Sequence, residues 1–303
     1  MHFFYRWFYH PWVNLPLRNL FRLFGNALPH RLRIPISGKV NLQISPEGQT
    51  IRLYTNPSNS MAKLVYWNEG HNHEYTDVFL RLLARTNVFM DIGASIGYYS
   101  IVAKTFNPNI EVHAFEPAKG PFHYLKKNFG LNAFSTATAH HLAISDGQGE
   151  LSFFAPFNEK YAFLKHHLGG DGSLLDRPEE THLRKTTVKT NTIDALVKEL
   201  DLHQMDLIKM DTESTEDRVL RGGEKSIARF RPIIISEVLF DTIEVKLDQI
   251  LREWDYVTFR HNPEGVEHID QLARERDDGA SNFFFVPREK MHGFTAEIVS
   301  QAG

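Results

Sequence analysis

The chain has no cysteine among its 303 residues. Disulfides, thiolate zinc sites and cysteine nucleophiles are therefore excluded. The absence suits the reducing cytosol, and a cytoplasmic location is expected. No stretch approaches the roughly 18–20 uninterrupted apolar residues a membrane span needs. Acid is missing from residues 1–46, where six of the 34 Lys and Arg lie: Arg6, Arg18, Arg22, Arg31, Arg33 and Lys39. The remaining 28 stand against 37 Asp and Glu, so the rest of the chain carries −9 beneath an overall −3. No nucleic-acid partner is expected of so acidic a body, because neutralising phosphates requires a basic face.

What the N-terminus has in place of acid is aromatic. MHFFYRWFYHPWVNLPLRNLFRLFGNALPHRLRIPI lacks the compact apolar core of a signal peptide. Two readings stay open. These short amphipathic pieces pack on the main domain, or residues 1–36 make peripheral membrane contact within a lipid headgroup layer.

Gly38–Ser45 and Thr50–Asn56 alternate apolar and polar residues around Pro46, Glu47 and Gly48, which predicts a β-hairpin. His73–Ala84 places Tyr75, Phe79, Leu82 and Leu83 at helical spacing. From Val88 strands alternate with helices. Strands are expected at VFMDIG, Ile110–Pro117, ATAHHLAI, GELSFF, DLIKMD, Arg231–Val238, EWDYVTFR and SNFFFVP. Helices are expected at YYSIVAKTF, around Phe122, Leu125 and Phe129, and over Thr192–Leu200. Long apolar strands between amphipathic helices mean an α/β fold whose mainly parallel sheet is covered on both faces, with an antiparallel edge at the end of the chain. Phe157–Val188, containing LGGDGSLLDRPEE, shows no periodicity and reads as a functional or disordered loop.

In such sheets ligands sit beyond the carboxyl ends of the strands, where strand order reverses. Asp91-Ile-Gly-Ala-Ser-Ile-Gly97 occupies that place. A dinucleotide fingerprint reads G-x-G-x-x-G and cradles a pyrophosphate. Here the third glycine is missing and an acid precedes the first. That acid would repel a pyrophosphate and suits a ligand carrying an ammonium and a sulfonium, S-adenosylmethionine. Gly93 lets the chain turn, and Gly97 lets a ligand or the next helix approach. Glu116, followed by Pro117, ends the second strand where an acid can accept from both ribose hydroxyls. Lys209, Asp211 and Glu213 alternate around a later strand end, Glu216 follows, and Ser214 or Thr215 is placed to cap the next helix.

These residues resemble the FkbM-type methyltransferases, S-adenosylmethionine-dependent enzymes of the class I Rossmann-like fold. The likeness spans roughly Tyr66 to Pro287 and rests on YWNEG with Glu74, DIGASIGYYS, AFEP, LAISDGQGELSFF, TIDALVKELDLHQMDLIKMDTESTEDRVLRGG and RPIIISEV. It implies a seven-stranded sheet in a methyltransferase domain over 66–303, behind an N-terminal extension over 1–65. It also implies that Asp91, Gly93, Ala94, Gly97 and Tyr98 hold the methionine part of the cofactor, Glu116 and Pro117 the ribose, and Ala143 and Ile144 the adenine. Asp211 would face methyl transfer, as first candidate for general base, with Lys209, Glu213 and Glu216 around it. His73, Glu74 and Glu237 would stand on the acceptor side. The acceptor class is a hydroxyl of a sugar, glycan, glycolipid or secondary metabolite. One position departs from the family: Ser214 stands where a glycine is usual, and a positive φ there would strain it.

His71-Asn72-His73-Glu74, His140-His141 and His166-His167 look like metal ligands, but none sits at i, i+4 on a helix with an acid, and no metal site is expected. The rival readings are a cofactor-binding scaffold without catalysis, supported by Ser214, and an NAD-dependent oxidoreductase, disfavoured by the missing glycine.

Overall fold

The computed structural model describes residues 2–23, 29–45, 48–68, 73–170, 172–175 and 182–299. Two helices, α1 (His2–Phe8) and α2 (Pro11–Arg22), precede an antiparallel hairpin of β1 (Gly38–Gln43) and β2 (Thr50–Thr55). The expected turn residues Pro46 and Glu47 lie outside the described residues. Helix α3 (Ser60–Asn68) opens under Asn59, whose Oδ1 accepts from Ala62 N at 2.6 Å. Helix α4 (Thr76–Leu83) begins three residues later than expected. The cause is Glu74, whose φ of 46° is left-handed and cannot belong to a right-handed helix.

The central layer is built from β3 (Val88–Ile92), β4 (Glu111–Phe115) and β5 (Ala137–His140), with helices α5 (Tyr98–Phe106) and α6 (Lys119–Asn132) between them. A second run then supplies β6 (Ala143–Ile144), β7 (Gly149–Pro156), β8 (Leu183–Asn191), α7 (Ile193–Glu199), β9 (Leu207–Met210), α8 (Glu216–Arg221), α9 (Glu224–Phe230), β10 (Ile233–Glu237), α10 (Glu244–Glu253), β11 (Tyr256–Asn262), β12 (Gly265–Ile269) and β13 (Asn282–Pro287). The main sheet runs β12-β11-β13-β10-β9-β3-β4-β5. From β10 to β5 neighbours are parallel, and the β13, β11 and β12 edge is antiparallel. Strand order reverses between β3 and β9, which opens the crevice of a doubly wound sheet at their carboxyl ends.

Three details differ from the sequence expectation. An eighth strand, β12, extends the edge: Asn262-Pro-Glu-Gly265 makes a hairpin turn and returns Val266 to the core. ATAHHLAI is two strands, because the His141 ring stacks on Phe122 (4.4 Å) and the chain leaves the main sheet there. β6 then joins a separate sheet of order β6-β8-β7. Finally, the irregular stretch ends in a strand. β8 pairs with β7 from Gly149↔Thr190 to Pro156↔Leu183, and its mostly solvent-facing residues gave no apolar alternation.

Alternation along each strand sorts side chains to two cores. Phe89, Leu207, Ile235 and Phe284 face one, with Val102 of α5 and Phe79 of α4. Met90, Ile92, Ile208, Met210, Ile234 and Phe285 face the other, with Leu196 of α7, Leu220 of α8 and Leu247 of α10. The same parity sends Asp91, Lys209 and Glu237 to the α5 face at neighbouring strand ends.

Candidate active site

A crevice of about 660 Å³, part of it open solvent, runs along the ends of β3, β4 and β9. Its walls are Phe115, Leu142, Ala143, Ile144 and Phe153, and Gly93, Glu116, Pro117, Asp211, Thr212 and Thr215 also line it. Glu116 is buried. Its Oε2 accepts from Ser95 N (2.8 Å) and its Oε1 from Ala118 N (2.7 Å), leaving each oxygen one further lone pair for the crevice. Burial raises its pKa to about 7 despite those two bonds, with Asp211 and Asp91 adding to the rise.

Gly169, Gly170, Gly172 and Leu174 roof the crevice. This roof is pegged along its length. Asn56 Nδ2 donates to His166 O (2.8 Å), Leu168 N to Ser58 Oγ (2.8 Å), Asn59 Nδ2 to Leu168 O (3.2 Å), and Ser173 Oγ to Glu213 O (2.7 Å). The sequence marked the glycine-rich stretch as functional or disordered, but nothing in its pattern showed where it would lie.

The remaining residues of the first loop lie behind the crevice rather than along it. Asp91 is buried on the α5 face, where its Oδ2 accepts from Ser100 N (3.1 Å) and Ser100 Oγ (2.6 Å) at the helix N-terminus, a favourable end for an anion. Its Oδ1 has no hydrogen-bond partner and stands 4.0 Å from Lys209 Nζ. Ala94 is core. A Cβ at Gly97 would meet Leu125 Cδ1 of α6 at 2.6 Å, so its close approach is to the next helix. Tyr98 is buried, with its hydroxyl 3.3 Å from Thr76 Oγ1 and its ring edge on His73.

Lys209 joins the carboxylates. Its Nζ donates to Asp211 Oδ2 at 3.3 Å and sits 5.5 Å from the Tyr99 ring centre. Burial alone would lower its pKa, but Asp211, Asp91 and Glu74 outweigh it and hold the ammonium charged. Oxygens of Asp211, Glu213 and Glu237 lie within 4.8 Å of one another, the single three-residue cluster with metal-ligand spacing among the described residues. Burial first, then Asp211 and Glu213, raises Glu237 to about 8. That rise favours the protonated form of Glu237 at neutral pH. Asp211 alone belongs to both the crevice and this cluster.

The loop after β9 is strained. Glu213 and Ser214 both adopt left-handed φ, 56° and 72°. Ser214 Oγ is buried without a partner. The family glycine would occupy this backbone without cost, so Ser214→Gly is expected to raise stability by about 1 kcal/mol by removing both penalties. Thermal unfolding reads this as a midpoint a few degrees higher; an unchanged or lower midpoint would show that the serine is tolerated. Thr215 holds the cap position of α8, but its hydroxyl donates back to Thr212 O and caps nothing. Glu216 takes over, its Oε1 accepting from Thr212 N and Oγ1 (2.8 and 2.9 Å). Burial raises it to about 7, and its Oε2 is unpartnered.

A second cleft carries charged and polar side chains. Glu74, Asp77, Arg260, His261 and Asn282 line it, and Asn282 pairs with Glu237 across β10 and β13. Tyr99, which the sequence reading passed over, fixes Glu74 by donating to Oε2 at 2.8 Å. His73 lies 3.8 Å from the same oxygen. His140 packs on Phe115 and His113, and His166 on His123. His71 falls outside the described residues.

Known proteins resemble this chain in sequence. The chain is 28% identical over 158 residues to the 31-O-demethyl-FK506 methyltransferase FkbM of Streptomyces tacrolimicus, covering 46% of this chain and 60% of that protein. It is 28% identical over 210 residues to methyltransferase sdnD of Sordaria araneosa, covering 62% of this chain and 81% of that one. A crystal structure of methyltransferase FkbM from Methylobacillus flagellatus KT aligns at 17% identity with a TM-score of 0.42, covering 66% of this chain and 43% of that one. The family model for the methyltransferase FkbM domain matches residues 91–278, more than half of the sequence, and the chain thus belongs to the FkbM-type methyltransferases.

Proposed function

We propose that the protein is an S-adenosylmethionine-dependent O-methyltransferase whose acceptor is a hydroxyl of a sugar, glycolipid or other polyhydroxylated metabolite. The observation that carries this reading is that Asp211 lines the crevice and also belongs to the carboxylate cluster with Glu213 and Glu237. The residues present suit the cofactor: an apolar slot for the adenine and a buried carboxylate at Glu116 for the ribose. When bound, the cofactor supplies an electrophilic methyl on a sulfonium. Asp211 accepts the acceptor's hydroxyl proton, Lys209 holds its Oδ2, and Glu237 donates to it below about pH 8. The roof keeps bulk water from the slot, and alignment of the two reactants supplies much of the acceleration. The Streptomyces relative is named for 31-O-demethyl-FK506, which agrees with an oxygen acceptor.

Calorimetric titration with S-adenosylmethionine and with NAD tests the cofactor. Glu116→Gln is expected to weaken the methyl donor by roughly 10- to 100-fold, the equivalent of about 1.5–3 kcal/mol for hydrogen bonds to a charged group. The ionised carboxylate is the form that accepts two hydroxyls. Since Glu116 loses its proton near pH 7, wild-type affinity should rise with pH up to about 7 and then level, whereas the variant should stay flat. Tighter NAD binding, or an unaffected variant, sinks the assignment. Mass spectrometry of sugars and glycolipids incubated with donor and protein should then show one added methyl. Donor binding without transfer to any hydroxylated acceptor would favour the scaffold reading.

A further inference from the structure

Helix α2 is inside out. A surface helix ordinarily turns its apolar stripe to the core. Here Phe21 packs against the core, but the most deeply buried side chains are polar, and of their polar atoms only Arg18 Nε lacks a hydrogen bond. Asn14 is 0% exposed: its Nδ2 donates to Pro35 O and its Oδ1 accepts from Ser37 N, both at 2.9 Å. Arg18 is 3% exposed and donates to Ser37 O (3.1 Å) and Lys39 O, with its guanidinium over the Tyr66 ring. The outward face holds Trp12, 84% exposed, Leu23, 82% exposed, and Leu15, Pro16 and Leu20. At ~100° per residue, Trp12, Pro16, Leu20 and Leu23 fall in one arc of roughly 80°. Trp7 of α1 is exposed as well. The helix cannot simply roll over to bury these groups, because that would strip Asn14 and Arg18 of buried hydrogen bonds.

We propose that this face docks on an anionic lipid bilayer, with α2 lying in the headgroup layer. Charge favours that partner over a second copy of the chain. Residues 1–46 carry no acid, and Arg6, Arg22, Arg31 and Lys39 are exposed, so two such faces brought together would repel. Anionic headgroups neutralise the same cations. Tryptophan prefers the water–lipid boundary, where its ring is half solvated. No helix among the described residues is long and apolar enough to cross a membrane, so the contact is one of lying on the surface.

Cosedimentation with vesicles tests this. The full chain should partition onto phosphatidylcholine vesicles containing phosphatidylglycerol, far less onto phosphatidylcholine alone, and should come off in high salt. The double variant Trp12→Glu, Leu23→Glu should bind on the order of tenfold or more weakly, with its thermal unfolding midpoint unchanged because both side chains project into solvent. Independently of any variant, brominated lipid should quench part of the wild-type tryptophan emission, from Trp7 and Trp12, while the buried Trp67 is spared. Absence of wild-type binding to anionic vesicles, equal binding by the double variant, or a reversible dimer that the double variant abolishes would each overturn the proposal. None of these outcomes bears on methyl transfer.

Discussion

Asp211→Asn is expected to lower kcat by about 10²–10⁴-fold, the usual contribution of a positioned general base, while leaving donor affinity within a few-fold. The replacement keeps the shape of the side chain, its place on the crevice wall and a carbonyl oxygen for Lys209 to reach. What it removes is the ability to take a proton. A second effect follows from the neighbours. Glu237 is raised to about 8 by burial and then by the charges of Asp211 and Glu213. With the Asp211 charge gone, Glu237 releases its proton at lower pH, so the pH profile of any residual transfer should move toward acid. Steady-state rates across pH, with donor affinity measured in parallel, check both points. Undiminished turnover would remove Asp211 from the mechanism.

Gly93→Ala is expected to cost about 2–5 kcal/mol of stability, from two separable causes. Its φ of 76° is unfavourable for any residue with a Cβ, at about 1–2 kcal/mol. The added methyl would also drive into the carbonyl of Asp211, with the carbonyl carbon only 2.9 Å away, and backbone there cannot yield as a side chain would, which adds about 1–3 kcal/mol. Gly130→Ala is the matched control. It lies in α6 with open space around it and no positive φ, so it should stabilise slightly, by about 0.5–1 kcal/mol. Denaturant unfolding of the two variants decides the matter, and equal midpoints would show that the Asp211 backbone moves aside freely.

The order of strands and helices was legible because buried parallel strands read as apolar runs and their crossovers as amphipathic helices. The acids at strand ends were legible too, since a carboxylate that closes a core strand has few other places to be. Facing was not. Asp91 precedes the glycine loop in sequence, yet strand parity turns its carboxylate toward α5 and Ser100 while Glu116 opens to the crevice. Segments without apolar alternation hid their structure: β8 is built from threonines and lysines, and β12 from only five residues. Nor did the composition of α2 indicate that its asparagine and arginine, rather than its leucines, would point inward.

Ser58 and its neighbours, far upstream of the catalytic strands, clamp the segment that covers the nucleoside slot. A truncated chain beginning at residue 66 would keep every carboxylate and the glycine loop but lose this latch. Its bound donor would then dissociate faster, and water would gain entry, even with the sheet intact. On the proposed function, the donor's residence time is expected to depend partly on a piece of the molecule that touches no reacting atom, and donor off-rates of the full and shortened chains check this.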